Sequence, residues 1–267
     1  MAASHLTFPT PQTVYFDTLN LAAAENFDIE AFLPDVIIHC GALTHVDYCE
    51  THEEESFQKN VTATANLLDI ARRHHIKFVF LSTDYVFDGR HGPYRENAPV
   101  NPLSVYGKHK LAAERLIQEQ LTHYLILRVT NVYGDEIRQK NFIARLLRQI
   151  EAGEKLELKL PYDQYASPTN ALDIARAAEA LLSAGKNGIY HVAGTDYMNR
   201  VSLALKVLRY FPETDYRLIP LSTKEFNQAA PRPLYGGFIP DKLLSLFPTF
   251  LFSSVDDYLI GLSGHKK

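Results

Sequence analysis

The chain has two cysteines in 267 residues, Cys40 and Cys49. Two thiols make no disulfide framework and suit a reducing compartment, so a cytoplasmic setting is expected. No apolar run reaches the roughly 18 residues of a membrane span. The opening MAASHLTFPTPQ has no charged segment followed by an apolar one, so no secretory signal is expected. A net charge of −4 gives no broad positive field for nucleic acid or an anionic membrane. No internal repeat and no low-complexity segment stands out. Glycine is missing from the first forty residues, Gly41 being the first. No Gly-x-Gly-x-x-Gly or Gly-x-x-Gly-x-x-Gly occurs anywhere. Such a run, between a strand and a helix, sets backbone N–H groups against a pyrophosphate. Its absence removes the ready-made dinucleotide cradle.

What is present is an ordinary globular composition, 46% hydrophobic and 22% charged. Residues 1–12 read as an irregular arm. Strands are expected at 13–16, 35–40, 78–83 and 124–129, each short, apolar and rich in β-branched or aromatic residues. Runs of this kind suit strands with both faces covered by helices. Helices are expected at 25–33, 53–74 and from about 102 to 120. Further along come a helix at 141–151, a strand at 155–160, a helix at 171–184 and a strand at 188–194. His39, Cys40, His45 and Cys49 lack zinc-like spacing, and neighbours on a strand point to opposite faces, so no metal is expected.

The chemistry concentrates between Phe78 and Lys110. An apolar strand ends in Ser82-Thr83, a Gly/Pro-rich loop follows, and a helix carries Tyr106 and Lys110. Four residues apart on a helix, the two lie on one face. A nearby ammonium stabilises a phenolate, and a phenol so tuned can exchange a proton with a carbonyl/alcohol pair during hydride transfer. A Tyr-x-x-x-Lys alone is weak, since a solvated helix face produces the same spacing.

The longer string is more specific. STDYVFDG, then NPLSVYGKHKLAAE, resembles the extended short-chain dehydrogenase/reductases, and within them the dTDP-4-dehydrorhamnose reductase family. The resemblance runs from about Asp17 to Asp241. It implies an α/β, Rossmann-like parallel sheet flanked by helices and a smaller substrate-binding part. It implies an NADPH-dependent reduction of a 4-keto group on a nucleotide-activated sugar, with NADP(H) or NAD(H) as cofactor. Thr83, Tyr106 and Lys110 carry over as the catalytic set. Tyr106 would supply the proton, Lys110 would tune it and bind the nicotinamide ribose, and Thr83 would orient the carbonyl. HCGALTHVDYCE places Gly41, Ala42 and Leu43 at the cofactor. Asp17 and Thr18 fall near its adenine end, and Asn60 matches an Asn that supports the active site. Asp84, Tyr85, Asn131 and Arg232 are implied on the substrate side. Asn131 departs from the Ser-Trp common in the family, and Arg232 reads equally as a surface arginine in a Pro-rich loop. A homodimer is an admissible assembly.

Against the family pattern the first strand, the glycine turn and the first helix are not in this sequence. The expectation is therefore an N-terminally incomplete Rossmann-like part over residues 1–134, and a mainly substrate-binding part over 135–267 interleaved with it. In a sheet ordered 3-2-1-4-5-6 the first strand is central, so the 13–16 and 35–40 strands must pair directly or leave a gap. A truncated version of a longer protein is expected. Two other readings remain open. One is a non-catalytic protein resembling the regulatory β subunit of methionine adenosyltransferase, whose partner is the catalytic subunit. The other is a sugar-nucleotide epimerase or dehydratase, which Asp84 does not discriminate.

Overall fold

The computed structural model describes residues 1–264. Two three-residue strands, β1 (Ala3–His5) and β2 (Thr13–Tyr15), pair in parallel. A single turn, α1 (Ile29–Phe32), leads to β3 (Val36–His39). Three helices follow almost without a break: α2 (Val46–Thr51), α3 (Glu53–Phe57) and, past a π-turn over Gln58–Thr62, α4 (Ala63–Arg73). Next come β4 (Lys77–Thr83), α5 (Val105–Gln120) and β5 (Tyr124–Val129). The second half runs β6 (Val132–Tyr133), α6 (Phe142–Glu151), β7 (Leu156–Pro161), β8 (Tyr165–Ala166), β9 (Thr169–Asn170), α7 (Ala171–Ser183) and β10 (Gly188–His191). It closes with β11 (Met198–Asn199), α8 (Arg200–Leu208), β12 (Tyr216–Leu221), α9 (Thr223–Phe226), α10 (Asp241–Leu246) and α11 (Val255–Gly264).

β10, β5, β4 and β3 form, in that order, one parallel sheet. Alternation along the strands feeds two cores, as a sheet buried on both sides requires. Ile37, Phe78, Phe80 and Ile126 face α4 and α5. Val79, Leu125, Leu127 and Tyr190 face α7 and Leu243 of α10. A separate core joins Tyr133, α6, β7, α8 and α11. The second half thus builds its own core and also returns α7, β10 and α10 to the main sheet.

Buried polar groups tie helix to sheet. Arg128 of β5 donates to both carboxylate oxygens of Glu114 on α5, at 2.9 and 2.6 Å, and the Ser82 hydroxyl of β4 donates to the same carboxylate. Both charges of this pair have an opposite charge and hydrogen bonds, as burial demands.

Three local expectations need correcting. Residues 1–12 are not wholly irregular, because Ala3–His5 finds a parallel partner in β2. The helix expected over 25–33 shrinks to one turn, closed by Leu33 in the left-handed region. The helix expected over 53–74 is interrupted after Phe57 by a π-turn over Gln58–Thr62, which carries Asn60.

The β1–β2 pair does not join the main sheet. Among the described residues β3 is therefore an edge strand, and the alternatives of pairing or gap resolve as a gap. Phe16, just past β2, still shares a core with Ile37. The other face of β3 is open: Ile38 is 53% exposed.

Candidate active site

The site is assembled at the carboxyl end of β4, where parallel sheets present ligand-binding loops. Thr83 ends the strand, and its hydroxyl accepts from Tyr85 N–H at 3.2 Å, starting a 3₁₀ turn over Asp84–Val86. The start of α5 is pressed against that turn. A Cβ on Gly107 would lie 2.3 Å from the Tyr85 carbonyl oxygen, so only glycine permits the approach. Ser104 caps the helix by accepting from Gly107 N–H at 3.2 Å, and Glu50 accepts from Val105 N–H at 2.9 Å. These contacts fix Tyr106 in the first turn, beside the strand end.

Thr83, Tyr106 and Lys110 are all buried. Thr83 acts on the Tyr106 phenol, favouring its ionised form. The Tyr106 ring meets Tyr85 edge-on, 5.7 Å between centroids. Burial pushes the Tyr106 phenol well above its ordinary range, and Thr83 works against that shift. Tyr85 is pushed up by burial to about 12. Lys110 donates to the Leu81 carbonyl at 2.7 Å and sits 3.8 Å over the Phe80 ring. Burial draws its ammonium down to about 7, against the pull of Glu114 and Cys40. Tyr85, Asp84 and Cys49 add to the upward shift of Tyr106.

The loop after β3 borders the same ring. Leu43 packs with Tyr85, Val105 and Tyr106. Asn60 locks that loop: its side chain accepts from Leu43 N–H at 2.9 Å and donates to Leu43 O at 3.2 Å. Gly41 leaves the loop open, since a Cβ there would meet only the His39 ring. Cys40 is exposed, whereas His39 is buried and its Nε2 has no partner among the described residues. Asp17 closes a turn by accepting from Leu19 N–H at 2.9 Å, and the Thr18 carbonyl accepts from Asn66 at 2.8 Å.

A cavity of about 480 Å³ adjoins Tyr85. Its walls include Asn131, Arg145, Lys159, Arg200 and Arg232. Asp84 is not in that wall: its carboxylate accepts from the Thr130 hydroxyl at 2.8 Å and from Gly237 N–H at 3.2 Å, fastening two loops. Arg232 reaches the cavity but ion-pairs with Asp47 at 2.6 Å. Asn131 holds a left-handed backbone, φ 42°, and accepts from Arg200 at 2.9 Å. Arg200 was not marked by the sequence. It opens α8, far along the chain, with no motif around it, and only the fold carries it to the cavity.

The chain matches the RmlD substrate binding domain over residues 2–249. It belongs to the RmlD substrate binding domain family. Among RmlD-type relatives, methionine adenosyltransferase 2 subunit beta of Danio rerio is 33% identical over 77% of this chain and 64% of its own length. The chain thus spans just under two thirds of that relative. dTDP-4-dehydrorhamnose reductase of Mycobacterium tuberculosis is 32% identical over 76% of this chain and 67% of its own. Among solved structures, dTDP-4-dehydrorhamnose reductase of Bacillus anthracis in complex with NADP superposes with a TM-score of 0.81. It is 29% identical, covering 89% of this chain and 83% of that one. The Rossmann-like architecture is shared with these RmlD-type structures.

Proposed function

We propose that the chain is a reductase acting on a keto group of a nucleotide-activated sugar, of the dTDP-4-dehydrorhamnose reductase type, with a nicotinamide dinucleotide as cofactor. The observation that supports the reading is that Thr83 and Tyr106 are buried at the carboxyl end of β4, Lys110 bonds Leu81 O of that strand, and Tyr85, whose ring meets Tyr106, lines a cavity rich in arginine and lysine. A phenol, a hydroxyl and a buried amine suit the nicotinamide-riboside half of such a cofactor. When bound, the reduced nicotinamide supplies hydride to the carbonyl carbon.

The chain's own residues manage the oxygen. Tyr106, held neutral by burial, donates its proton to the developing alkoxide. Thr83 donates a hydrogen bond to the same oxygen. Lys110, which donates to Leu81 O in this structure, would hold the nicotinamide ribose. Gly41, Ala42 and Leu43, fixed through Asn60, form the wall against the cofactor, with Asp17 and Thr18 toward its adenine end. Tyr85, Asn131 and Arg232 border the sugar nucleotide, and Asp84 acts behind them by holding Thr130 and Gly237.

The likeness to methionine adenosyltransferase 2 subunit beta, at 33% identity, supports a second reading, a binding subunit of that type. Titration of the purified chain with NADPH, followed by cofactor fluorescence, separates them. Saturable binding and turnover of a dTDP-4-keto sugar support the reductase. A folded chain that binds no NADPH but co-purifies with a methionine adenosyltransferase catalytic subunit overturns it.

A further inference from the structure

The cavity holds more positive charge than its neighbours neutralise. Arg232 is matched by Asp47. Arg200 has no carboxylate within ion-pair distance among the described residues. Its hydrogen-bond partner is the neutral amide of Asn131, and its guanidinium lies 4.8 Å from the centroid of the Phe142 ring. Desolvation lowers its pKa, so the surroundings bear a cost for keeping it charged. Arg145 lies near enough to repel it, against a weaker pull from Asp84; Lys140 lines the same cavity, and Lys159 there is paired with Glu157 at 3.8 Å. Arg200, Arg145 and Lys140 have no ion-pair partner among the described residues, and cations gathered in excess of their counter-charges are stabilised by an anion placed among them.

The hold on Arg200 is itself specific. Asn131 adopts φ 42°, a region that Asn tolerates better than most residues. That backbone turns its amide toward Arg200 at the end of β5. The amide fixes the guanidinium without neutralising it.

We infer that Arg200, positioned by Asn131, is the main oxyanion-binding residue of this cavity, in preference to Arg232. Resting on the reading of the cavity as a sugar-nucleotide site, it assigns the ligand's phosphate, or a carboxylate on its sugar, to Arg200. A guanidinium suits either anion, because its parallel N–H groups match two oxygens.

The test is calorimetric binding without cofactor, using dTDP, thymidine, UDP-glucose and UDP-glucuronate. The variants are Arg200→Gln, Arg200→Lys, Asn131→Gly and Arg232→Gln, each checked for folding by circular dichroism and thermal unfolding. Asn131→Gly keeps the left-handed backbone and removes the amide. Arg200→Gln is expected to weaken dTDP about 10- to 100-fold and to leave thymidine unchanged. Arg200→Lys should recover part of the loss, Asn131→Gly should lose less than Arg200→Gln, and Arg232→Gln should lose least. An Arg200-dependent preference for UDP-glucuronate over UDP-glucose assigns the sugar carboxylate as the anion. Folded Arg200→Gln protein that binds every anion as tightly as the parent overturns the inference, as does a folded parent that binds none. Binding through Arg200 without turnover leaves it standing and removes the reductase reading. Turnover unaffected by Arg200→Gln does the reverse.

Discussion

Lys110 carries an ammonium into a place with almost no water, between the Phe80 ring and the Leu81 carbonyl. Its folded pKa, about 7, lies below the 10.5 of the free side chain. The unfolded chain therefore binds more protons between those values, and stability rises with pH across that window. Lys110→Met removes the titration. Its stability relative to the parent should be highest near pH 6 and fall by roughly 2–5 kcal/mol toward pH 10. Urea unfolding at pH 6, 8 and 10 reads the slope; a constant difference would mean that Lys110 is not desolvated. Tyr106 differs in kind, since burial keeps its proton in place. Tyr106→Phe should lower turnover about 10²- to 10⁴-fold with little change in cofactor affinity. Equal turnover would remove Tyr106 as the acid.

At the scale of elements, α5 connects the site to the sheet. One end holds Tyr106 and Lys110, and Glu114, one turn further on, meets Arg128 of β5 and Ser82 of β4. Removing one partner leaves the other charge buried and unpaired. Glu114→Gln should cost about 3–5 kcal/mol, whereas Glu114→Leu with Arg128→Met should recover a good part of it. Chemical denaturation of both variants checks this, and equal losses would refute the pairing argument. The helix itself was legible as a periodic run ending near residue 120. Its partner Arg128 was legible only as one residue of a buried strand, because sequence spacing says nothing of which strand lies beneath a helix.

For the molecule as a whole, the open flank of β3 is the feature that sets this chain apart from a continuous doubly wound sheet. Ile38 points out of it, 53% exposed, from a strand whose neighbours Ile37 and His39 are buried. Ile38→Lys should change stability by no more than about 0.5 kcal/mol and should reduce self-association, because charge blunts a free strand edge. A thermal shift and light scattering measure the two effects. A large loss of stability would show that the flank is covered.

The sequence by itself determined the parallel strands, since continuous apolar runs of four to six residues admit few other uses. It also determined the Thr83, Tyr106 and Lys110 pattern, because helical spacing and a strand-end hydroxyl are local facts, and the lack of a glycine turn is read directly. Only the tertiary structure decided the rest. It put Lys110 on the Leu81 carbonyl, spent Asp84 on two loops and paired Arg232 with Asp47. It brought Arg200 to Asn131 across 69 residues of chain. Those outcomes depend on which distant groups meet in low dielectric, where charges and hydrogen bonds must be matched, and that matching is a property of the packed whole.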